Sequence, residues 1–327
     1  MKRFFLCFIS TLLTLGSIST PLSVSAHTED VVTDIPPNIL FLGDSIATGF
    51  GLDGYSDGKE KCRSYANQLA EKYSFELDGK CKTSMHNEAI DGQTSGELLE
   101  KLLSGTFDQQ LRNADAVVVS IGGNDLLTVL WDFIKNDLKI DSKNLKNNMS
   151  EIIDSITSLG TEIDERLSTF EANLTQIAVQ INAKSDGVLV IQTLYNPFED
   201  FEQAQVKNFV REKILALNSS IESHKNDDAK YIVADVYSKL TGSAEKMTRI
   251  KQMDIHPNQA GHDAISECVD KTIRTERYYY HYDVMANPAQ SNRVQKDDRN
   301  EYIFILFSGI AAAFLIVVAF LRFRTLK

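Results

Sequence analysis

Two segments far apart in the chain carry a hydroxyl and an imidazole that together could perform nucleophilic catalysis. Ser45 ends the sequence Gly-Asp-Ser, which follows an apolar run at 39–42. A hydroxyl at the carboxyl end of a parallel strand is placed to attack a bound ligand. His256 lies in the sequence Asp-Ile-His-Pro, where it could accept the proton of such a hydroxyl. Taken singly, Ser45 is more typical of a helix N-cap, and His256 of a solvent-facing side chain.

Two further segments offer hydrogen-bond donors for a negatively charged oxygen. Gly92 follows a weak apolar run at 84–89, and a glycine lets its backbone N–H face a ligand without an intervening side chain. Asn124 lies in Gly-Gly-Asn-Asp after the run at 116–121, and its amide can donate into the same space. Each residue alone is explained by a turn. Their joint occurrence with Ser45 and His256, each after a predicted strand, indicates attack on a carbonyl group.

Apolar, β-branched runs alternate with segments of helical periodicity, and this pattern predicts the elements that position the four groups. Near-continuous apolar strands are typical of a parallel sheet covered by helices on both faces. The sequence therefore predicts one α/β domain, a three-layer α/β/α fold with a five-stranded parallel sheet. The predicted strands are 39–42, 84–89, 116–121, 188–194 and 231–236, and the predicted helices are 64–73, 95–103, 167–183, 203–224 and 263–273.

Both ends of the chain have the character of membrane-directed segments. Residues 1–26 combine an early basic pair, an apolar run at 4–15 and small residues at 24–26, which predicts a secretory signal cleaved after Ala26. The alternative is a retained anchor, although the apolar run is shorter than the ~20 residues of a membrane span.

Residues 302–321 are apolar or small and precede the basic tail 322–327, which predicts a transmembrane helix with a cytoplasmic C-terminus. A buried core helix is the alternative. The body would then lie outside the cell, in a single-pass protein of the cell membrane, with 276–301 as a polar tether.

Net charge and cysteine content restrict the partners and the covalent links. The formal charge of −11, without clustered Lys and Arg, argues against binding to nucleic acid. Cys62, Cys81 and Cys268 remain after removal of the signal, in a compartment where disulfides persist. We expect a Cys62–Cys81 disulfide and a reduced Cys268. The cysteine spacing does not match a zinc site, so no metal is predicted, and His86 near Cys81 is interpreted as a surface residue.

The four segments, in this order, resemble the SGNH hydrolase family of GDSL-like lipases and acylhydrolases over residues 39–273, within a domain placed at 38–275. The marks of the resemblance are Gly-Asp-Ser at Ser45, Gly92, Gly-Gly-Asn-Asp at Asn124 and His-Pro at His256. It implies a flavodoxin-like sheet and an acyl-enzyme on Ser45. It further implies an oxyanion hole made of the backbone N–H groups of Ser45 and Gly92 and the side chain of Asn124, with no metal or organic cofactor.

One position departs from the pattern of this family. Its members usually carry the triad aspartate three residues before the histidine, but Met253 stands there, and the nearest carboxylate is Asp254, two residues before His256. Either Asp254 or a backbone carbonyl would then orient the imidazole.

Three functions are compatible with these residues. The first is a membrane-anchored serine esterase acting on lipid esters or O-acyl groups of glycans. The second is a non-catalytic surface-binding domain on the same fold, and the third is an O-acyltransferase that uses the same side chains. The sequence does not indicate the oligomeric state.

Overall fold

The computed structural model describes residues 28–132, 151, 155–202, 204–223, 229–252 and 254–283. The chain divides into two compact units, Asp30–Tyr280 and a second one that combines Met1–Glu29 with His281–Lys327. The predicted signal, transmembrane helix and basic tail lie outside the described residues. Within the described ranges, no helix is long and apolar enough to cross a membrane.

The central sheet has five parallel strands, as the sequence predicted. Their order is β3-β2-β4-β5-β6, and their bounds are β2 (Asn38–Gly43), β3 (Ser84–Asn87), β4 (Ala116–Ser120), β5 (Val188–Gln192) and β6 (Ile232–Ala234). The chain leaves β2 toward one edge and returns to the other side of β2 as β4, so the strand order reverses between these two strands. In open α/β sheets, ligands bind outside the carboxyl ends of the strands at such a point.

Ten α-helices surround the sheet within the described residues, and they include all five helices that the periodicity predicted. They are α1 (Ser45–Thr48), α2 (Tyr65–Glu76), α3 (Ser95–Leu103), α4 (Asp108–Asn113), α5 (Gly123–Asp132), α6 (Gly160–Asn182), α7 (Ala204–Ser223), α8 (Val236–Leu240), α9 (Ala244–Met247) and α10 (Gln259–Ile273). Side-chain caps determine where several begin. The hydroxyl of Ser64 caps α2, and a capping box of Thr94 and Glu97 begins α3.

The core has two halves, one on each face of the sheet, because successive side chains of a strand point to opposite faces. Leu40 and Leu42 of β2 pack into a cluster with apolar residues of α3, α6 and α7. Ile39 and Phe41 of the same strand pack into a second cluster with α2 and α10. The apolar run 39–42 of β2 is thus buried on both faces, which is the three-layer arrangement that the sequence predicted.

The tether predicted over 276–301 is wrong for its first residues. A strand β7 (Tyr278–Asp283) pairs with β1 (Thr28–Thr33) in a separate two-stranded sheet. Tyr278 is buried and packs in the core, whereas Tyr279 is exposed. This alternation has the period of a strand, which an interpretation based on overall polarity overlooked. The rest of the tether lies outside the described residues.

The expected Cys62–Cys81 disulfide is also wrong, because the three cysteines among the described residues are free thiols. Cys62 precedes the first residue of α2 and Cys81 follows its last. A helix of 12 residues is about 18 Å long, whereas bridged cysteines have Cα atoms within about 7 Å. The Cys62 thiol instead donates to the carbonyls of Thr48, at 3.4 Å, and Lys59, at 3.2 Å. Burial raises the pKa of the Cys268 thiol to about 11, so this cysteine is protonated at neutral pH.

Candidate active site

A tight turn after β2 presents the hydroxyl of Ser45 at the start of α1. Gly43 has a φ of +121°, and a Cβ there would lie 1.8 Å from the carbonyl oxygen of Ser120 on β4. Only glycine fits this close approach. The Asp44 carboxylate accepts from the backbone N–H of Ile46 at 3.0 Å, so the N-cap of α1 is Asp44. The hydroxyl of Ser45 is therefore not used as a cap, and it remains available for chemistry.

The carboxyl of Asp44, the residue before Ser45, is almost fully buried. The same Oδ1 that caps α1 accepts from the hydroxyl of Ser120 at 3.1 Å. Burial raises the pKa of Asp44 to about 7, despite the hydrogen bonds from Ile46 and Ser120 that lower it. Asp44 is thus an ionisable neighbour of Ser45. Among the described residues, its carboxyl makes no hydrogen bond to the Ser45 hydroxyl.

The loop before α10 brings an imidazole and a carboxylate to Ser45. His256 Nε2 lies 3.0 Å from Ser45 Oγ, and His256 Nδ1 lies 2.5 Å from Asp254 Oδ1. The same Oδ1 accepts from the backbone N–H of His256 at 3.0 Å. Tyr195 donates to the carbonyl of Ile255 at 2.7 Å and so holds this loop against the sheet. The structure therefore brings Ser45, His256 and Asp254 into one hydrogen-bonded chain.

Asp254 reaches the imidazole although it lies only two residues before it, because its carboxylate folds over the backbone N–H and the ring of His256. Burial raises the pKa of Asp254, but the two hydrogen bonds from His256 and the charges of His256 and Arg249 outweigh it, so the pKa of Asp254 is lowered. The carboxylate therefore stays ionised at neutral pH and accepts from Nδ1. In the part of the chain that the structure describes, a side-chain carboxylate contacts this ring nitrogen and no backbone carbonyl does.

The three predicted oxyanion donors lie on segments next to this chain of hydrogen bonds. The backbone N–H groups of Ser45 and Gly92 have no acceptor among the described residues. Gly92 has a φ of +74°, and a Cβ there would meet no atom within 4 Å. The amide of Asn124 donates to the carbonyl of Gln93 at 3.0 Å, which leaves its second hydrogen available. Asn124 thereby ties the start of α5 to the Gly92 loop.

Comparison with known proteins identifies the fold and the family of this arrangement. Residues 41–264 match the GDSL-like Lipase/Acylhydrolase family. The chain belongs to this family. It is 25% identical over 240 residues to the uncharacterized protein YpmR of Bacillus subtilis (strain 168), a match that covers 73% of this chain and 82% of that protein. It also resembles the crystal structure of the lipase Lip_vut3 from a goat rumen metagenome, with a TM-score of 0.53 and 20% identity over 72% of this chain and 96% of that one.

A second histidine near the His-Pro segment of this GDSL-like protein, His262, has a structural role. His262 is fully buried in α10, and its Nδ1 accepts from the backbone N–H of Tyr65 at 3.2 Å. Burial, together with the charge of His256, lowers the pKa of His262 to about 4, so the ring is neutral at pH 7. His262 therefore supports the N-terminus of α2, and His256 is the imidazole that reaches Ser45.

The GDSL-like family motifs contain two aspartates to which the sequence assigned no function. Asp91 precedes Gly92 and accepts from the hydroxyl of Thr48 on α1, at 2.5 Å, and from that of Tyr55. It thus connects the loop that carries Gly92 to α1, the helix that begins at Ser45. Asp125 follows Asn124 and accepts from the backbone N–H and hydroxyl of Ser95, at 2.9 and 2.5 Å. Their position inside the motifs was a signal that these carboxylates shape the site.

Arg249 and Phe50 also contact the site, and no motif pointed to either of them. Arg249 Nη2 lies 2.7 Å from Asp254 Oδ2. The ring of Phe50 lies 4.8 Å from that of His256, between centroids, and 38% of Phe50 is exposed. Among the described residues, no group of His, Cys, Asp and Glu side chains is placed to hold a metal ion.

Proposed function

We propose that the protein is a serine esterase that works through an acyl-enzyme. Ser45 Oγ attacks the carbonyl carbon of an ester while His256 Nε2 accepts the hydroxyl proton. The tetrahedral intermediate then collapses, and His256 returns the proton to the departing alcohol. Water repeats the sequence on the acyl-enzyme, releases the carboxylic acid and restores Ser45. The observation that carries this proposal is the chain of contacts from Ser45 Oγ through His256 to Asp254, at 3.0 and 2.5 Å.

Asp254 and three donors supply the electrostatics of this reaction. The Asp254 carboxylate holds the imidazole in the tautomer whose Nε2 is free, and it stabilises the imidazolium that forms. The N–H groups of Ser45 and Gly92 and the amide of Asn124 would donate to the oxyanion. Donors that are already oriented lose little free energy to reorganisation when the negative charge develops.

The proposed substrates are lipid esters or O-acylated glycans at the cell surface. Phe50 contacts His256, and Ile90, two residues before Gly92, is 42% exposed, so apolar side chains flank the proposed site. These side chains would contact the acyl part of the ester.

A panel of p-nitrophenyl esters from acetate to long-chain acids tests the reaction and the preferred acyl length. We expect hydrolysis by the wild-type protein and covalent labelling of Ser45 by a fluorophosphonate. Ser45→Ala should be neither active nor labelled, and Ser74→Ala, which removes an exposed hydroxyl of α2, is the matched control. No turnover and no labelling of the wild type would favour the non-catalytic binding domain. Transfer of the acyl group to an added glycan would favour the acyltransferase.

We also propose that the chain is anchored in the cell membrane through 302–321, with the catalytic body outside and 322–327 in the cytoplasm. The length of this apolar segment and the basic residues after it support the proposal. The full chain should stay with the membrane after washing with salt or carbonate, whereas a form of residues 27–295 should be soluble and active. Release of the full chain by these washes would contradict the anchor.

A further inference from the structure

The guanidinium of Arg249 connects the displaced acid to the loop that follows the nucleophile. Arg249 Nη2 lies 2.7 Å from Asp254 Oδ2, and Nη1 donates to the carbonyl of Gly51. The guanidinium is planar with donors on both arms, so it can hold two acceptors in a fixed relation, which a lysine ammonium on one flexible stem cannot do. Both side chains of the ion pair are largely shielded, with exposures of 31% for Arg249 and 19% for Asp254.

The backbone holds Arg249 opposite His256. The N–H of Arg249 donates to the carbonyl of His256 at 2.9 Å, and the N–H of Asp254 donates to the carbonyl of Arg249 at 3.3 Å. The neighbouring residues Thr248 and Pro257 form an antiparallel bridge. Asp254 is therefore enclosed in a loop whose two ends are joined, and the Arg249 side chain returns across this loop to its carboxylate.

The sequence after α1 leaves space for the guanidinium. Gly51 has a φ of +80°, and a Cβ at this position would lie 1.7 Å from Arg249 Nη1. A side chain at position 51 would therefore occupy the place of the guanidinium. Because Gly51 has no side chain, the guanidinium of Arg249 has room there, although the two residues are 198 positions apart.

We propose that Arg249 is a positioning residue that holds Asp254 on His256, and thereby makes an acid two residues before the histidine usable as the third member of the triad. The inference rests on the proposed serine esterase function. The two oxygens of Asp254 have separate partners: Oδ1 accepts both contacts from His256, and Oδ2 meets Arg249. Without the guanidinium, Oδ2 has no partner among the described residues, and the carboxylate is free to rotate away from Nδ1.

Arg249→Met tests the inference, with Lys251→Met as the matched control. Lys251 belongs to the same loop, and its ammonium pairs with Glu245 in an exposed position. We expect Arg249→Met to lower kcat about 10- to 100-fold with little change in KM, because a small misplacement of a catalytic group has an effect of this size. Lys251→Met should keep the wild-type kcat. A kcat for Arg249→Met equal to that of Lys251→Met would overturn the proposal.

A double-mutant cycle separates positioning from a general loss of stability. If Arg249 acts through Asp254, Arg249→Met should have little further effect in the Asp254→Asn background. The acid limb of the kcat/KM profile should move to lower pH in Arg249→Met, in the same direction as in Asp254→Asn, because the imidazolium loses its carboxylate partner. Additive losses, or an acid limb that moves to higher pH, would mean that Asp254 keeps its place without Arg249.

Chemical rescue covers the case in which the methionine variant does not fold. Methylguanidinium added to Arg249→Ala should restore part of kcat, whereas methylammonium at the same concentration should not. Equal rescue by both cations would mean that Arg249 supplies only positive charge, and it would contradict a positioning role. Failure of the proposed function is seen separately, because the wild type would then neither hydrolyse esters nor be labelled at Ser45. In that case, NMR titration of His256 in wild type and Arg249→Met still tests whether the arginine holds Asp254 on the ring.

Discussion

Two serine–histidine pairs in this protein have the same separation between hydroxyl and imidazole but very different surroundings. Ser45 Oγ lies 3.0 Å from His256 Nε2, and Ser84 Oγ lies 3.0 Å from His86 Nε2. The first pair joins residues 211 positions apart at the carboxyl end of β2. The second joins residues two positions apart on the edge strand β3, where Ser84 is the first residue.

The two pairs differ in the groups that nucleophilic catalysis needs in addition to a short Ser–His distance. His86 is exposed and has no carboxylate partner among the described residues, so nothing holds one tautomer of its ring. Ser84 also lies at the opposite end of its strand from the rim where ligands bind. The Ser45 pair has a carboxylate behind the imidazole, and the backbone N–H of Ser45 has no acceptor among the described residues. The predictions below remove these differences one at a time.

The largest expected effect is the loss of the Ser45 hydroxyl. Ser45→Ala should lower kcat on p-nitrophenyl esters by about 10⁶-fold, the size known for removal of the nucleophile from a serine protease. Ser84→Ala is the control, and its kcat should match that of the wild type. If Ser84→Ala caused the larger loss, the assignment of the nucleophile would be reversed.

The next effect comes from the orienting carboxylate. Asp254→Asn should keep the loop geometry but favour the wrong tautomer, with a loss in kcat that approaches about 10⁴-fold, the size known for such a change in serine proteases. The acid limb of the kcat/KM profile should move to lower pH, because protonated His256 loses a negatively charged partner. A near-normal rate with an unmoved acid limb would show that Ser45 and His256 act as a dyad.

A smaller effect is expected from the side-chain donor to the oxyanion. Asn124→Ala should lower kcat by about 10²- to 10³-fold, or roughly 2.7–4 kcal/mol, if the amide stabilises developing charge. The lost hydrogen bond to Gln93 should also lower the free energy of unfolding by about 1 kcal/mol. Asn113→Ala, at the exposed end of α4, controls for the loss of an amide. A change in kcat of only a few-fold would leave Asn124 with the structural role alone.

The last prediction concerns stability and not rate, and it involves Asp44, the buried carboxyl that the Ser45 site has and the Ser84 site lacks. Its pKa rises from 3.8 to about 7 on folding, so the folded state holds its proton more tightly than the unfolded state. Stability should therefore fall as pH rises from about 4 to about 7. Asp44→Asn, which can still cap α1, should lack this loss.

Thermal unfolding across this range measures the effect, with about 2–4 °C in Tm expected for each kcal/mol. If Tm changed with pH in the same way in the wild type and in Asp44→Asn, the raised pKa of Asp44 would be contradicted.

The sequence alone determined the fold class and the order of the site segments, because both depend on local patterns. Runs that are apolar at every position, such as 116–119, are typical of strands buried on both faces. Helical periodicity located α3 to the residue, and the structure shows that a capping box of Thr94 and Glu97 fixes its start. The Gly-Asp-Ser and His-Pro segments were recognisable because each of them holds its functional group and the neighbouring turn residue within a few positions.

Only the tertiary structure decided which side chains meet. Whether Asp254 or a backbone carbonyl contacts His256 depends on side-chain rotation, which residue spacing leaves open. The bridge from Arg249 to Gly51 depends on how segments 198 positions apart pack together. Packing also gives His256 and His262 different roles, since burial in α10 keeps His262 neutral and away from Ser45. A sequence records which groups are present, but the distances that make them act on one another arise when burial of the apolar faces brings distant segments together.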